Sequence, residues 1–244
     1  MSRFPGVLAA ILDLDGTLTV AHGDARLSEC AIRVVRALES SGVRVSIITG
    51  NSLPVALGVA RYLGARGPVA AENGCVIYSE GLGVVHVCRG KPPRSLVEDV
   101  ARLGFYESWQ NMFRFHEAAM IPVRRGDEGA VANAIELVEG RGYTAIWSGY
   151  ALHIQPPGGG KLRGFRALLD TLKVEPSQVI VVGDGDNDVD MLREAPLSGA
   201  PGDASAKARS SALVVSDLPG ALGTAEVVYR LTGIDPGCLG SGQL

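Results

Sequence analysis

Two aspartates, Asp13 and Asp15, stand two residues apart in "DLDGTLT", directly after the apolar run "VLAAIL". Like charges at that spacing cost free energy unless a positive group lies between them or one holds a proton. Three more polar stretches follow: Thr49-Gly50-Asn51 in "ITGN", Lys161, and Asp184 to Asp188 in "GDGDND". Any one of them reads as turn or helix-cap chemistry, where Asp, Asn, Thr and Gly are the common residues. Together they supply carboxylates, a hydroxyl and an ammonium. Clustered carboxylates require a cation, and all-oxygen donors select a hard one such as Mg²⁺, which also takes waters and a substrate phosphate. A calcium loop in "DGDNDVD" fails on detail. Its sixth position is Val189 where glycine is needed, and its twelfth is Ala195 where glutamate is needed. With Mg²⁺ and a lysine at hand, the ligand is expected to be a phosphate ester. One carboxylate then attacks phosphorus, and a second protonates the leaving oxygen and later activates water. The cations offset the repulsion between attacking carboxylate and phosphate.

The surrounding elements must bring these residues to one place. "VLAAILDL" lacks a polar face, as expected for a strand buried on both sides. Ala31, Val34, Val35 and Leu38 follow helical spacing after Ser28, a good N-cap, and Gly42 closes that helix. "VRVSIITG" is a second buried strand. A helix through Val55, Val59, Tyr62 and Leu63 leads to a third, "VAAENG". This alternation predicts an α/β fold with a Rossmann-like parallel sheet. Asp13/Asp15, Thr49–Asn51 and Asp184–Asp188 all fall at carboxyl ends of its strands, where such sheets bind ligands. Lys161 opens the helix before the strand "VIVV". From Cys75 to Gln155 the strand candidates lie closer together ("CVIYS", "VVHVC", "FRFHEAAMIPV", "YTAIWSGYALHIQ"), with helices near Pro93–Leu103 and Glu128–Gly140. That spacing suggests a smaller antiparallel α+β unit. The expected organisation is a core of residues 1–74 and 157–244 with an inserted cap domain of residues 75–156. The tail "DPGCLGSGQL" is expected to be loosely ordered.

"DLDGT", "ITGN", Lys161 and "GDGDND" occur in the order of the four motifs of the haloacid dehalogenase superfamily of phosphotransferases, which the chain resembles. The resemblance implies that Asp13 is the nucleophile and Asp15 the general acid/base. Thr49 and Lys161 would hold the phosphoryl group, with Gly50, Asn51 and Asn187 completing the substrate site. Asp184 would bind Mg²⁺ with Asp13 and the backbone carbonyl of Asp15, and Asp188 would complete the metal site. An insertion after "AENG" looks like the type II cap arrangement. The stretch "TGNSLPVALGVARYLGARGPVAAENGCVIY" resembles the archaeal-type phosphoglycolate phosphatases, which hydrolyse 2-phosphoglycolate to glycolate and phosphate. Two positions depart from the common pattern. Lys161 is followed by Leu162-Arg163 before Gly164, and Asp203-Ala204 stands where Asn-Ala is typical.

Sugar-phosphate phosphatases and phosphomutases share these motifs and form the alternative. A non-catalytic phospho-accepting receiver is disfavoured, because it has no use for a second aspartate at Asp15 or for a cap. The net charge of −3 leaves no basic excess for nucleic acid or anionic membrane. The expected partner is a small phosphorylated metabolite, with no nucleic acid and no membrane, and the chain is expected to be a monomer or homodimer. Arg3 followed by "GVLAAIL" is a weak signal-peptide pattern that runs straight into Asp13, and no stretch approaches the ~20 apolar residues of a membrane helix. Cys30, Cys75, Cys88 and Cys238 show no metal spacing and read as reduced thiols of a cytoplasmic protein. His22, His86, His116 and His153 form no ligand pair and are expected to be structural or surface residues. Among cap residues, Arg114, His116 and His153 are the candidates to read a substrate carboxylate. Trp109 and Trp147 are expected in the cap core.

Overall fold

The computed structural model describes residues 6–240; Arg3 lies outside them. The first half of the chain runs β1 (Ala9–Leu12), β2 (Thr19–Ala21), β3 (Asp24–Leu27), α1 (Glu29–Ser40), β4 (Arg44–Ile48), α2 (Leu53–Leu63), β5 (Val69–Ala71), β6 (Val76–Ser79) and β7 (Gly83–His86). Next come α3 (Arg94–Arg102), β8 (Phe105–Glu107), β9 (Ala118–Pro122), α4 (Glu128–Gly140), β10 (Thr144–Trp147) and β11 (Leu152–Gln155). The chain closes with α5 (Lys161–Leu172), β12 (Val179–Val182), α6 (Val189–Glu194), β13 (Leu197–Ala200), α7 (Ala206–Ser211), β14 (Val214–Val215) and α8 (Gly220–Thr232).

The large sheet has the order β14-β13-β12-β1-β4-β5-β6-β7 and is parallel from β14 through β5. Its central strands explain their unbroken apolar sequences. In β1, Ala10 and Leu12 join one apolar cluster with α1, α2 and α8, while Ala9 and Ile11 join another with α5 and α6. In β12, Ile180 and Val182 face the first cluster, and Val179 and Val181 the second. Successive side chains on a strand point to opposite faces, so a sheet covered on both sides needs apolar residues at every position. Ser28 caps α1 as expected, accepting from the Cys30 amide.

A second, antiparallel sheet of order β10-β11-β9-β8 packs with α3 and α4 around its own apolar cluster, which includes Leu96, Phe105, Met120, Val138 and Leu152. The expected boundary at Cys75 needs correction. β6 and β7 pair antiparallel onto β5 and stay in the large sheet, so the separate sheet begins only at β8. Their short turn is the pattern expected of the insert, but turn length says nothing about which edge a hairpin joins.

The cysteines also differ from expectation. Cys30–Cys238 and Cys75–Cys88 form disulfides, with Cα–Cα distances of 5.6 and 4.7 Å. The first pair is 208 residues apart in sequence, a proximity only the tertiary fold creates, and it ties the C-terminal tail to α1. Reduced thiols therefore no longer argue for a cytoplasmic location. Among the described residues no helix is long and apolar enough to cross a membrane. Trp109 is 65% exposed on a short turn rather than in the small unit's core, against which Trp147 does pack.

Gly164 fits α5 against the turn Glu72–Gly74. A Cβ at residue 164 would stand 2.3 Å from the Gly74 Cα, a backbone atom that cannot rotate away. The glycine delayed beyond Lys161 thus has a packing reason. Gly164→Ala is expected to cost ~2 kcal/mol through overpacking, lowering Tm by roughly 4–8 °C in a thermal melt. An unchanged Tm would show that the turn moves freely.

Candidate active site

Asp13 extends β1 by one residue, and its amide donates to the Val182 carbonyl (2.9 Å) across the β1–β12 ladder. Its carboxylate is buried and ion-paired with Lys161 Nζ (2.8 Å). The same ammonium, at the first turn of α5, donates to Asp188 Oδ1 (2.7 Å). The other Asp188 oxygen accepts from the amides of Asp184 (3.1 Å) and Gly185 (2.8 Å), which holds the loop after β12 in place. Asp184 accepts from the Thr17 hydroxyl (3.2 Å). Gly16 sits at φ +79°, and a Cβ there would lie 2.0 Å from Asp184 Oδ2. Glycine follows Asp15 because Asp184 occupies that space.

Carboxylate oxygens of Asp13, Asp184 and Asp188 lie within 4.8 Å of one another, all buried. Lys161 pairs with two of these three carboxylates, while Asp184 meets His22 Nδ1 (2.6 Å). Burial, reinforced by Asp188 and Asp184, pushes the Asp13 carboxyl well above its ordinary 3.8 despite Lys161. Burial likewise raises Asp184, against the hydrogen bond from His22. Lys161 shows the complement: burial would lower its ammonium, yet Asp13 and Asp188 hold it above its ordinary 10.5. A site short of positive charge and built from hard oxygen donors fits a divalent cation.

The Asp15 carboxylate is not part of this cluster. It is exposed and accepts from Asn51 Nδ2 (2.7 Å), which also donates to the Thr49 hydroxyl (3.0 Å). Thr49, Gly50 and Asn51 follow β4, beside β1, so the second polar stretch meets the first. Asn187 does not join the carboxylates; its Nδ2 donates to Asn73 Oδ1 (3.1 Å).

His22, expected to be structural or on the surface, and Glu72, Asn73, Gln110 and Glu117 join the site without having been singled out for it by the sequence, whereas Arg114, His116 and His153 were candidates to read a substrate carboxylate. His22, at the tip of the β2–β3 hairpin, contacts Asp184 Oδ2 through Nδ1 (2.6 Å), and its amide donates to Asp203 Oδ2 (2.7 Å). Asp203 also accepts from the Gly220 amide, so its departure from the usual Asn anchors the hairpin and α8 together. Glu72 and Asn73, in the left-handed turn after β5, both bond the small unit. The Glu72 carboxylate accepts from the amides of Phe115, His116 and Glu117 (2.7, 2.8 and 3.0 Å). Glu117, fully buried, accepts from Arg114, from His153 Nδ1 (2.7 Å), from Gln155 Nε2 (2.8 Å) and from Asn73 Nδ2 (3.2 Å). Burial opposes its ionisation, but Arg114, His153 and Gln155 together hold the carboxyl down at about 2. Arg114 and His116 lie in the loop before β9 rather than in a strand. His116 bonds His86 and the Gly90 carbonyl (2.8 and 2.9 Å). Gln110 bridges the Asn51 side chain (2.8 Å) and the Ser52 amide (2.7 Å). One clue was legible: a glutamate directly before "AAMIP" must be buried with that run, and buried carboxylates need partners.

The haloacid dehalogenase-like hydrolase family matches residues 10–90 and 129–227. The chain belongs to the haloacid dehalogenase-like hydrolases. Within this family it is 52% identical over 227 residues to a phosphoglycolate phosphatase of Aeropyrum pernix, covering 93% of this chain and 94% of that one. It is 35% identical over 221 residues to the Metallosphaera sedula phosphoglycolate phosphatase, covering 91% and 97%. A crystal structure from Thermoplasma acidophilum superposes with a TM-score of 0.82 at 23% identity over 92% of this chain and 98% of that one, which shows the shared fold. A haloacid dehalogenase-like hydrolase of this kind works on phosphoryl groups with a divalent metal, in keeping with the acidic cluster.

Proposed function

We propose that the protein hydrolyses 2-phosphoglycolate to glycolate and phosphate, with Mg²⁺ as cofactor. The observation that carries this reading is the 52% identity, across nearly the whole of both chains, to a phosphoglycolate phosphatase. The Asp13–Lys161–Asp184–Asp188 constellation supports the chemistry. In this reading the Asp13 carboxylate attacks phosphorus, a bond to Asp13 forms, and the bond to the glycolate oxygen breaks. Asp15 gives its proton to that leaving oxygen. Asp15, now ionised, takes a proton from water as the water oxygen attacks phosphorus, releasing phosphate and restoring Asp13. Lys161 and the Thr49–Asn51 turn hold the phosphoryl oxygens and balance their charge. Asn187 keeps Asn73, and through it Glu117, in place. Asp13, Asp184, Asp188 and the Asp15 carbonyl would hold Mg²⁺, which supplies positive charge beside the transferring group. The small sheet with α3 and α4 serves as the cap over this site.

A panel of phosphate esters assayed with Mg²⁺ tests the substrate. The expected kcat/KM for 2-phosphoglycolate exceeds that for hexose phosphates by at least ~10-fold. Hexose phosphates turned over faster would replace this reading with a sugar-phosphate phosphatase.

A further inference from the structure

Phosphoglycolate differs from a simple alkyl phosphate by a carboxylate on its leaving group, so a selective site needs a cation on that side. The proton donor Asp15 marks the side, and Asn51 ties it to the Thr49–Asn51 turn. Among the described residues, two basic cap side chains lie against that turn. Arg114 donates through Nη1 to the Gly50 carbonyl (2.8 Å) and pairs with Glu117, while its Nε is enclosed without a partner. Its hydrogen bonds are thus directed inward. His153 lies with its Cε1 only 3.1 Å from where a Cβ on Gly50 would stand. Its Nδ1 is held by Glu117 (2.7 Å), whereas its Nε2 has no hydrogen-bond partner among the described residues.

We propose that His153, oriented by Glu117, is the specificity-determining residue that reads the carboxylate of the substrate through Nε2. The inference rests on the phosphoglycolate reading above. The Glu117 carboxylate accepts from Nδ1, so the ring presents its other nitrogen, Nε2, beside Gly50. With a proton on Nε2 as well, the imidazole donates to an anion placed there, and the substrate carboxylate is such an anion. Gly50 keeps the gap open, because any side chain there would press on His153 and Asn73. Glu72, which accepts three cap amides, fixes the loop carrying Arg114 and Glu117. Glu117 is therefore a positioning residue, and His153 touches the substrate.

The test compares 2-phosphoglycolate with ethyl phosphate, which lacks the carboxylate, in wild type, His153→Ala and His153→Gln. Glutamine retains a donor for Glu117 but cannot become a cation. The wild type is expected to prefer phosphoglycolate. Both variants are expected to lose about 30-fold of that preference in kcat/KM, as for a hydrogen bond to a charged group, with the loss mainly in KM. If His153→Ala fails to fold, the glutamine variant decides. Parallel losses for both esters would reveal a merely structural histidine and overturn the inference, as would a preference kept intact. A wild type that turns over phosphoglycolate no better than ethyl phosphate overturns the substrate reading as well.

Discussion

Asp13→Asn is expected to lower kcat for phosphate-ester hydrolysis by at least ~10³-fold, the effect of removing a covalent nucleophile. Folding does not explain such a loss. Asp13 is one of three clustered buried carboxylates, two of which pair with Lys161, and burial with its acidic neighbours already opposes its ionisation. A neutral amide of the same shape relieves that repulsion and still accepts from Lys161. In metal-free buffer the variant should therefore melt no lower than the parent, while phosphate release in the presence of Mg²⁺ collapses. Acid-quenched wild type captured during turnover should carry a phosphoryl group on the peptide containing Asp13, and the variant should carry none. Near-normal turnover by Asp13→Asn would sink the mechanism.

Asp15→Asn is expected to split the reaction into its two halves. The Asp15 carboxylate is exposed, and an asparagine there still accepts from Asn51, so the fold should be undisturbed. Loss of the general acid and base should lower kcat by ~10²–10⁴-fold. p-Nitrophenyl phosphate separates its two tasks, because nitrophenolate leaves without a proton. The variant should transfer the phosphoryl group to Asp13 and then stall, giving a burst of nitrophenolate equal to the enzyme present. Steady turnover without a burst, at a rate near wild type, would assign water activation to another group.

Much of the site was legible because its chemistry is written in local stretches. "DLDGTLT", "ITGN" and "GDGDND" each end a strand whose apolar run is continuous, and in a parallel sheet such ends share one edge. The large sheet does place Asp13, Thr49 and Asp184 on neighbouring strands. Lys161 was legible by type, and its 2.7–2.8 Å pairing with Asp13 and Asp188 follows from α5 packing under the same edge. By contrast, the hairpin β6–β7 joined the other sheet from the one its spacing suggested. His22 looked like a surface residue because the β2–β3 hairpin that carries it has too short an alternating pattern to announce itself.

The sequence alone determined what depends on neighbours along the chain: strands buried on both faces, a helix started by Ser28, and polar residues at strand ends. Hydrophobic periodicity reports the environment of a segment, and these segments have one environment each. Only the tertiary structure decided which distant groups meet. It joined Cys30 to Cys238, set Glu72 under the amides of Phe115 to Glu117, and enclosed Glu117 among Arg114, His153, Gln155 and Asn73. The reason is that a charge or thiol buried far from water is tolerable only beside its partner, and the partner is chosen by long-range packing. The two aspartates of "DLDGTLT" show both halves of this. Their spacing predicted a reactive pair, and the fold then buried Asp13 against Lys161 while leaving Asp15 exposed.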